Sequence, residues 1–209
     1  MKSLKFAFVM TMCLCLFVGD VDAKSKLITS WKNPHVAGGN FKKVLVIGMS
    51  ANPGRRSDFE DALAASLTRP GVDVIAGNEI LLRPDASPLN IDYVRDQVKA
   101  YKIDAVVLSR LVSIKDSVTY IPPDYGFPYP YYGTFYGYYG AISPLVYSPG
   151  YLIEEKTVRI ETNVYAITPP DGQLLWTGTS DTFNPKDAQK VIKEVVKLVS
   201  EQLTKSSVI

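Results

Sequence analysis

Residues 44–67 read VLVIGMSANPGRRSDFEDALAASL, so that an apolar run, a turn carrying Gly and Pro, and a stretch with helical spacing follow one another directly. Val44-Leu-Val-Ile47 is apolar without alternation, which predicts a buried central strand. Ser57-Asp-Phe-Glu60 has the form of a capping box, in which the Ser side chain accepts from the third-residue N–H while the Glu reaches back to the cap, and it predicts that a helix starts there. Phe59, Leu63 and Leu67 recur at a spacing of four and give that helix a core stripe. Arg69-Pro-Gly71 stops it, and Val72 to Ala76 supplies the next strand. The unit is strand, helix, strand.

Asn90 caps a second helix with Ile91, Val94, Val98 and Tyr101 on one face, and Asp104 to Val112 reads as a third strand. Further on, Thr157 to Ile167 alternates: Val158, Ile160, Thr162, Val164 and Ala166 share one side, and Arg159, Glu161 and Asn163 share the other. Thr168-Pro-Pro-Asp-Gly172 is a turn, because Pro presets φ and Gly accepts the left-handed region, and Leu174 to Thr182 returns as the hairpin partner. A last helix follows, with Asn184 as N-cap, Pro185 at the first position, and Ala188, Val191, Ile192, Val195, Val199 and Leu203 at helical spacing. These elements predict an α/β (α+β) fold of residues 41–205 as one domain, with a mixed sheet of about five strands and three covering helices.

The amino terminus carries Lys2 and Lys5 ahead of an apolar run from Phe6 to Gly19, which Asp20 and Asp22 close. That run is shorter than the roughly 20 residues a bilayer-spanning helix needs, and Val21-Asp22-Ala23 offers a small-residue cleavage site. Residues 1–23 therefore read as a signal peptide and 24–40 as a polar lead containing Trp31, with export to the periplasm or beyond as the expectation. An uncleaved anchor is the rival reading. Cys13 and Cys15, the chain's two cysteines, both lie in the segment to be removed, and neither follows the small residue that lipidation requires. The mature chain is then free of cysteine and must stand on its core. With 23 basic and 21 acidic residues, the formal net charge of +2 gives no ground for a nucleic-acid partner.

Residues 120–151, YIPPDYGFPYPYYGTFYGYYGAISPLVYSPGY, hold ten of the thirteen Tyr, six of the fourteen Pro and five of the fourteen Gly, which rules out an ordinary helix or strand through this segment. It reads as a long insertion between the third and fourth strands. Loops of that length are either functional or disordered, and both readings stand. As a contact surface it would present Tyr125, Phe127, Tyr129, Tyr131, Tyr132, Phe135, Tyr136, Tyr138, Tyr139 and Tyr147, rigid rings of which the Tyr carry polar tips. Such rings suit an envelope protein partner, a second copy of the chain, a glycan or the membrane interface. Asp124 is the one charged residue between Ile121 and Ser148, so electrostatic anchoring to a bilayer is not expected.

Catalytic groups are few. His35, the chain's one histidine, sits beside Pro34 with no cysteine or second histidine to complete a metal site or triad, and it reads as structural or solvated. Asp58, Glu60 and Asp61 are explained by the preference of helix starts for acidic side chains. No catalytic residue, metal or cofactor is therefore expected. The turn from Gly48 to Arg56 leads from a strand into a helix, the setting in which Gly54, Arg55, Arg56 and Ser57 would bind an anion. It does not match a nucleotide loop, since the glycine spacing is wrong and no Lys follows.

Thr29-Ser-Trp-Lys-Asn-Pro34, Phe41-Lys-Lys-Val-Leu-Val-Ile-Gly48, Arg56-Ser-Asp-Phe-Glu-Asp-Ala-Leu63 and Asp104-Ala-Val-Val-Leu-Ser-Arg-Leu111 together resemble successive landmarks of a family of uncharacterised bacterial envelope proteins, many of them lipoproteins. Glu161-Thr-Asn-Val-Tyr165 and Leu174-Leu-Trp-Thr-Gly178 fit the same pattern. The element order is also similar to the amino-terminal domain of the Tol-system translocation protein and to curli-secretion-type and penicillin-binding-protein-activating lipoprotein cores. The resemblance implies a non-catalytic envelope interaction module. The alternative is a periplasmic domain that binds a small ligand or anion at the Gly48 to Arg56 turn.

Overall fold

The computed structural model describes residues 23–35, 38, 40–82, 90–121, 151–168 and 172–209. In chain order the elements are β1 (Lys24–Lys32), β2 (Lys43–Met49), α1 (Pro53–Leu67), β3 (Asp73–Ala76), α2 (Gly77–Ile80), α3 (Ile91–Ala100), β4 (Ala105–Ile121), β5 (Tyr151–Ala166), β6 (Gln173–Phe183) and α4 (Ala188–Lys205). The strands form one mixed sheet in the order β1-β6-β5-β4-β2-β3. β2 lies parallel to β3 on one side and to β4 on the other, while β4, β5, β6 and β1 are joined antiparallel. The α+β class follows the sequence reading, with six strands in place of five and four helices in place of three among the described residues.

β2 is an interior strand, next to the edge strand β3, and both of its faces are apolar. Val44 and Val46 join the larger core with Phe59, Leu63 and Leu67 of α1 and Val191, Val195 and Val199 of α4. Leu45 points the other way, into a second core with Ile75, Ile80, Leu81, Ile103 and Val106, against which Tyr93, Val94 and Val98 of α3 pack. A β-strand sends alternate side chains to opposite faces, so an unbroken apolar run is stable only where both faces are covered. The second core explains a departure from expectation on α3. Ile91 and Tyr101, predicted to share its buried face, are exposed, and the contact is made by Tyr93 with Val94 and Val98.

The polar lead is corrected in its first half, where Lys24–Lys32 pairs antiparallel with β6. Its side chains hide the strand signal because the position is an edge: Ser25 and Thr182 share a hydroxyl hydrogen bond at 2.6 Å, and lysines discourage further strand addition. Two helix starts are also corrected. α1 begins one turn before the Ser57 capping box, with Asn52 as N-cap accepting from the Arg55 N–H at 2.9 Å. Pro53 then takes the first helical position, where its missing N–H costs nothing. α4 begins at Ala188 with Asp187 as cap, accepting from the Lys190 N–H. Asn184, the expected cap, has φ +47 and instead closes the β5–β6 pairing, accepting the Lys156 N–H and donating its own to the Lys156 carbonyl.

At the turn read after β5, Gly172 lies at φ +78 and its N–H donates to the Thr168 carbonyl at 2.7 Å, and residues 169–171 lie outside the described residues. β4 and β5 run further than expected. β4 continues nine residues beyond Val112, to Ile121, and β5 starts at Tyr151.

Candidate functional site

Two structural features qualify, and they adjoin. The first is a cleft at the carboxyl end of β2. From there the chain crosses one face of the sheet through α1 to β3, on one side of β2, while β4, on its other side, runs on into β5. Such a divergence leaves a crevice between the ends of the two parallel strands, which is where open α/β sheets hold ligands. Here the crevice has a volume of about 380 Å³, near the lower end of the range of about 300 to 1,000 Å³ for small-molecule sites. Phe59, Val158, Ile160, Val191 and Ile192 line its inner part. Met49, Leu111 and Ile114 stand at its lip with about half of their surface exposed, at 51%, 50% and 53%.

The basic residues predicted to bind an anion divide here. Arg55 and Arg56 both line the cleft. Arg56, however, is 8% exposed, and its guanidinium donates to the Leu81 carbonyl at 3.1 Å and faces Glu60 at 3.4 Å. Glu60 Oε1 in turn accepts the Gly48 N–H at 2.9 Å. Gly77 starts α2 against this carboxylate, where a Cβ would lie 2.8 Å from the Val46 carbonyl oxygen and 2.9 Å from Glu60 Oε1. Arg56 and Glu60 therefore fasten β2, α1 and α2 together beneath the cleft, and this structural role replaces the ligand role expected of Arg56. Gly54 and Ser57 belong to the first turns of α1 and are not among the cleft's lining residues. The anion position at the head of α1 is taken by Asn52, as Asp187 takes that at α4.

Lys156, Lys186 and Arg55 remain at the rim, and sequence reading missed the first two because β5 and the segment before α4 bring them from far along the chain. Arg110 also borders the cleft, but its guanidinium is committed to Glu161 on the other face of the sheet. The amide of Asn163, and after it Arg110, hold the Glu161 carboxyl below its ordinary range. Along the same face Arg159 grips Asp181 through two hydrogen bonds of 2.7 Å and likewise lowers its pKa.

The second feature is an arm. Pairing of β2 with β4 ends at Met49 and Arg110, and pairing of β6 with β5 begins at Phe183 and Thr157. Beyond these limits six residue pairs, from Asp116–Lys156 to Ile121–Tyr151, continue as a two-stranded ribbon, about 20 Å long at roughly 3.4 Å per residue. Val118, Tyr120, Tyr151 and Leu152 on this ribbon are 57% to 64% exposed. Tyr125, Phe127, Tyr129, Tyr131, Tyr132, Phe135, Tyr136, Tyr138, Tyr139 and Tyr147, predicted as a contact surface, lie outside the described residues. They connect the two strands of this arm in sequence.

No protein-family model matches the chain, and no curated protein matches it. Among solved structures it is similar to the PelC dodecamer from Paraburkholderia phytofirmans, with 14% identity, a TM-score of 0.41, and coverage of 86% of this chain and 96% of that one. Lipoprotein GNA1162 from Neisseria meningitidis gives 14% identity and a TM-score of 0.39 over 78% of this chain and 98% of that one. The hypothetical protein CT253 from Chlamydia trachomatis gives 11% and 0.35 over 82% and 94%.

His35 lies in an exposed turn, its N–H bonded to Asn33 Oδ1 at 2.9 Å. Asp58 accepts from Gln189 and Asp61 from Asn78, so the acidic residues near the start of α1 serve contacts within the fold. No helix among the described residues is long and apolar enough to cross a membrane.

Proposed function

We propose that this protein is a non-catalytic, exported envelope protein that acts as an interaction or assembly module through the β4–β5 arm and the Tyr-rich segment linking its strands. The observation that carries the proposal is the ribbon of six pairs with Val118, Tyr120, Tyr151 and Leu152 exposed. A two-stranded ribbon is marginal in water on its own, and grouped exposed apolar and aromatic side chains are the composition of a contact surface. An envelope protein or a second copy of the chain would bury these side chains and supply the missing support. Export rests on the charged start and short apolar run of residues 1–23.

The test is crosslinking and capture from intact envelopes, comparing the full chain with a variant in which residues 121–150 are replaced by a short Gly-Ser linker. Expression and thermal unfolding are matched first. The proposal expects an adduct, with itself or a partner, that the full chain forms and the variant does not; identical captures from both would reject it.

A further inference from the structure

The cleft at the foot of the arm is a separate site, and we infer that it binds a small amphipathic anion, an apolar chain bearing one terminal carboxylate or phosphate. Three observations carry this. First, the cleft is concave, about 380 Å³, and stands where the chain leaves the carboxyl ends of β2 and β4 toward opposite sides of the sheet, which suits one small ligand.

Second, its interior is apolar. Phe59, Val158, Ile160, Val191 and Ile192 come from three different elements to line it, and Met49, Leu111 and Ile114 leave about half of their surface at the mouth. Large apolar side chains gathered half-exposed around one concavity gain from an occupant that removes them from water.

Third, the rim is cationic and in part uncommitted. Arg55 has no ion-pair partner among the described residues, and Lys156 has a loose, exposed one, Asp116 at 3.7 Å. Lys186 adds a further positive charge at the rim, and Asp187 is its one acidic lining residue, with Oδ1 engaged by the Lys190 N–H. The heads of α1 and α4 supply no free recognition site, since Asn52 and Asp187 occupy them. Recognition of the anion therefore falls to the side chains of Arg55 and Lys156, with the apolar body of the ligand laid along β5 and the first turn of α4. A neutral hydrocarbon would leave the rim unused, and a free phosphate would leave the floor wet; the combination selects a molecule with both parts.

The experiment is calorimetric titration of the purified full chain with dodecanoate, dodecyl phosphate and the neutral analogue dodecanol, each below its aggregation threshold. One saturable site per chain is expected for both anions. Arg55→Glu, a surface change that leaves folding untouched, should weaken them about tenfold or more, as loss of a charge-assisted hydrogen bond does, without changing dodecanol. Ala188→Trp, which fills the cleft from the start of α4, should abolish binding while the arm-dependent adduct persists, and Lys193→Glu, outside the cleft, should change nothing. Absence of saturable binding by either anion overturns the inference, as does equal affinity for dodecanol or indifference to Arg55→Glu. Binding to phosphatidylglycerol vesicles in place of the monomeric anions also overturns it and assigns the rim to a membrane surface.

Discussion

Replacing Glu60 with Ala should destabilise the protein severely, although Glu60 stands at the middle of α1, where an acidic residue is ordinarily dispensable. Glu60 is 1% exposed. Its carboxylate holds the Gly48 N–H at 2.9 Å and the Arg56 guanidinium at 3.4 Å, and Arg56 reaches onward to the Leu81 carbonyl at 3.1 Å. Truncation leaves a buried guanidinium without its counter-charge and an N–H without its acceptor, and adds a cavity. Removing one partner of a buried ion pair costs about 3–5 kcal/mol, a large share of the roughly 5–15 kcal/mol that holds a typical domain. Urea unfolding should show that loss, and melting should fall by on the order of 10 °C. Glu60→Gln keeps the shape and the Gly48 acceptor and should cost about 1–3 kcal/mol. In a double-mutant cycle, Glu60→Ala combined with Arg56→Ala should cost clearly less than the two separately, because the second change removes the stranded charge. A loss below about 1 kcal/mol for Glu60→Ala, or strict additivity in the cycle, would refute the idea that this pair ties β2, α1 and α2 together.

Other expectations follow from the same contacts. Asp181 has its carboxyl lowered by the Arg159 hydrogen bonds, and Glu161 by Asn163 and then Arg110. Their contribution is present above the unfolded carboxylate pKa and is lost as pH falls through the lower folded values, so urea midpoints should decline below about pH 5, and Asp181→Asn should flatten that slope. Gly178→Ala would drive a Cβ into the ring of Trp176, which is 2% exposed; near-UV circular dichroism should change, and stability should drop by about 1–3 kcal/mol. Deleting residues 24–32 would strip β1 from β6, and hydrogen exchange should then lose protection at the alternate amides between Trp176 and Thr182 that faced β1, while the amides of β2 stay slow.

Much of the frame is legible in residue order. Val44-Leu-Val-Ile47 reports burial on both faces, and the alternation of Val158 to Ala166 reports a strand with one face toward the core. Local signals fail where distant contacts decide. Lys24–Lys32 looks like a solvated lead because an edge strand keeps polar side chains, and its strand character comes from pairing with residues near 180. Ser57 and Glu60 have the spacing of a capping box, yet Asn52 and Pro53 offer an earlier start, and Glu60 is drawn to Gly48 by burial. At the site, Arg55 and Arg56 look equivalent in sequence, and Leu81 and Glu60 separate them by engaging one and not the other. Lys156 and Lys186 could not be assigned to the same cleft because the hairpin through β6 lies between them.

The arm's role as a contact surface is open to direct test. A photoreactive amino acid placed at Val118, and in a parallel strain at Ser200 on α4, would be irradiated in intact envelopes expressing the full chain at matched levels. A contact surface on the arm should give a discrete adduct from position 118 and none from position 200. Adducts from 200 alone, or none from 118 with the protein folded and exported, would contradict it.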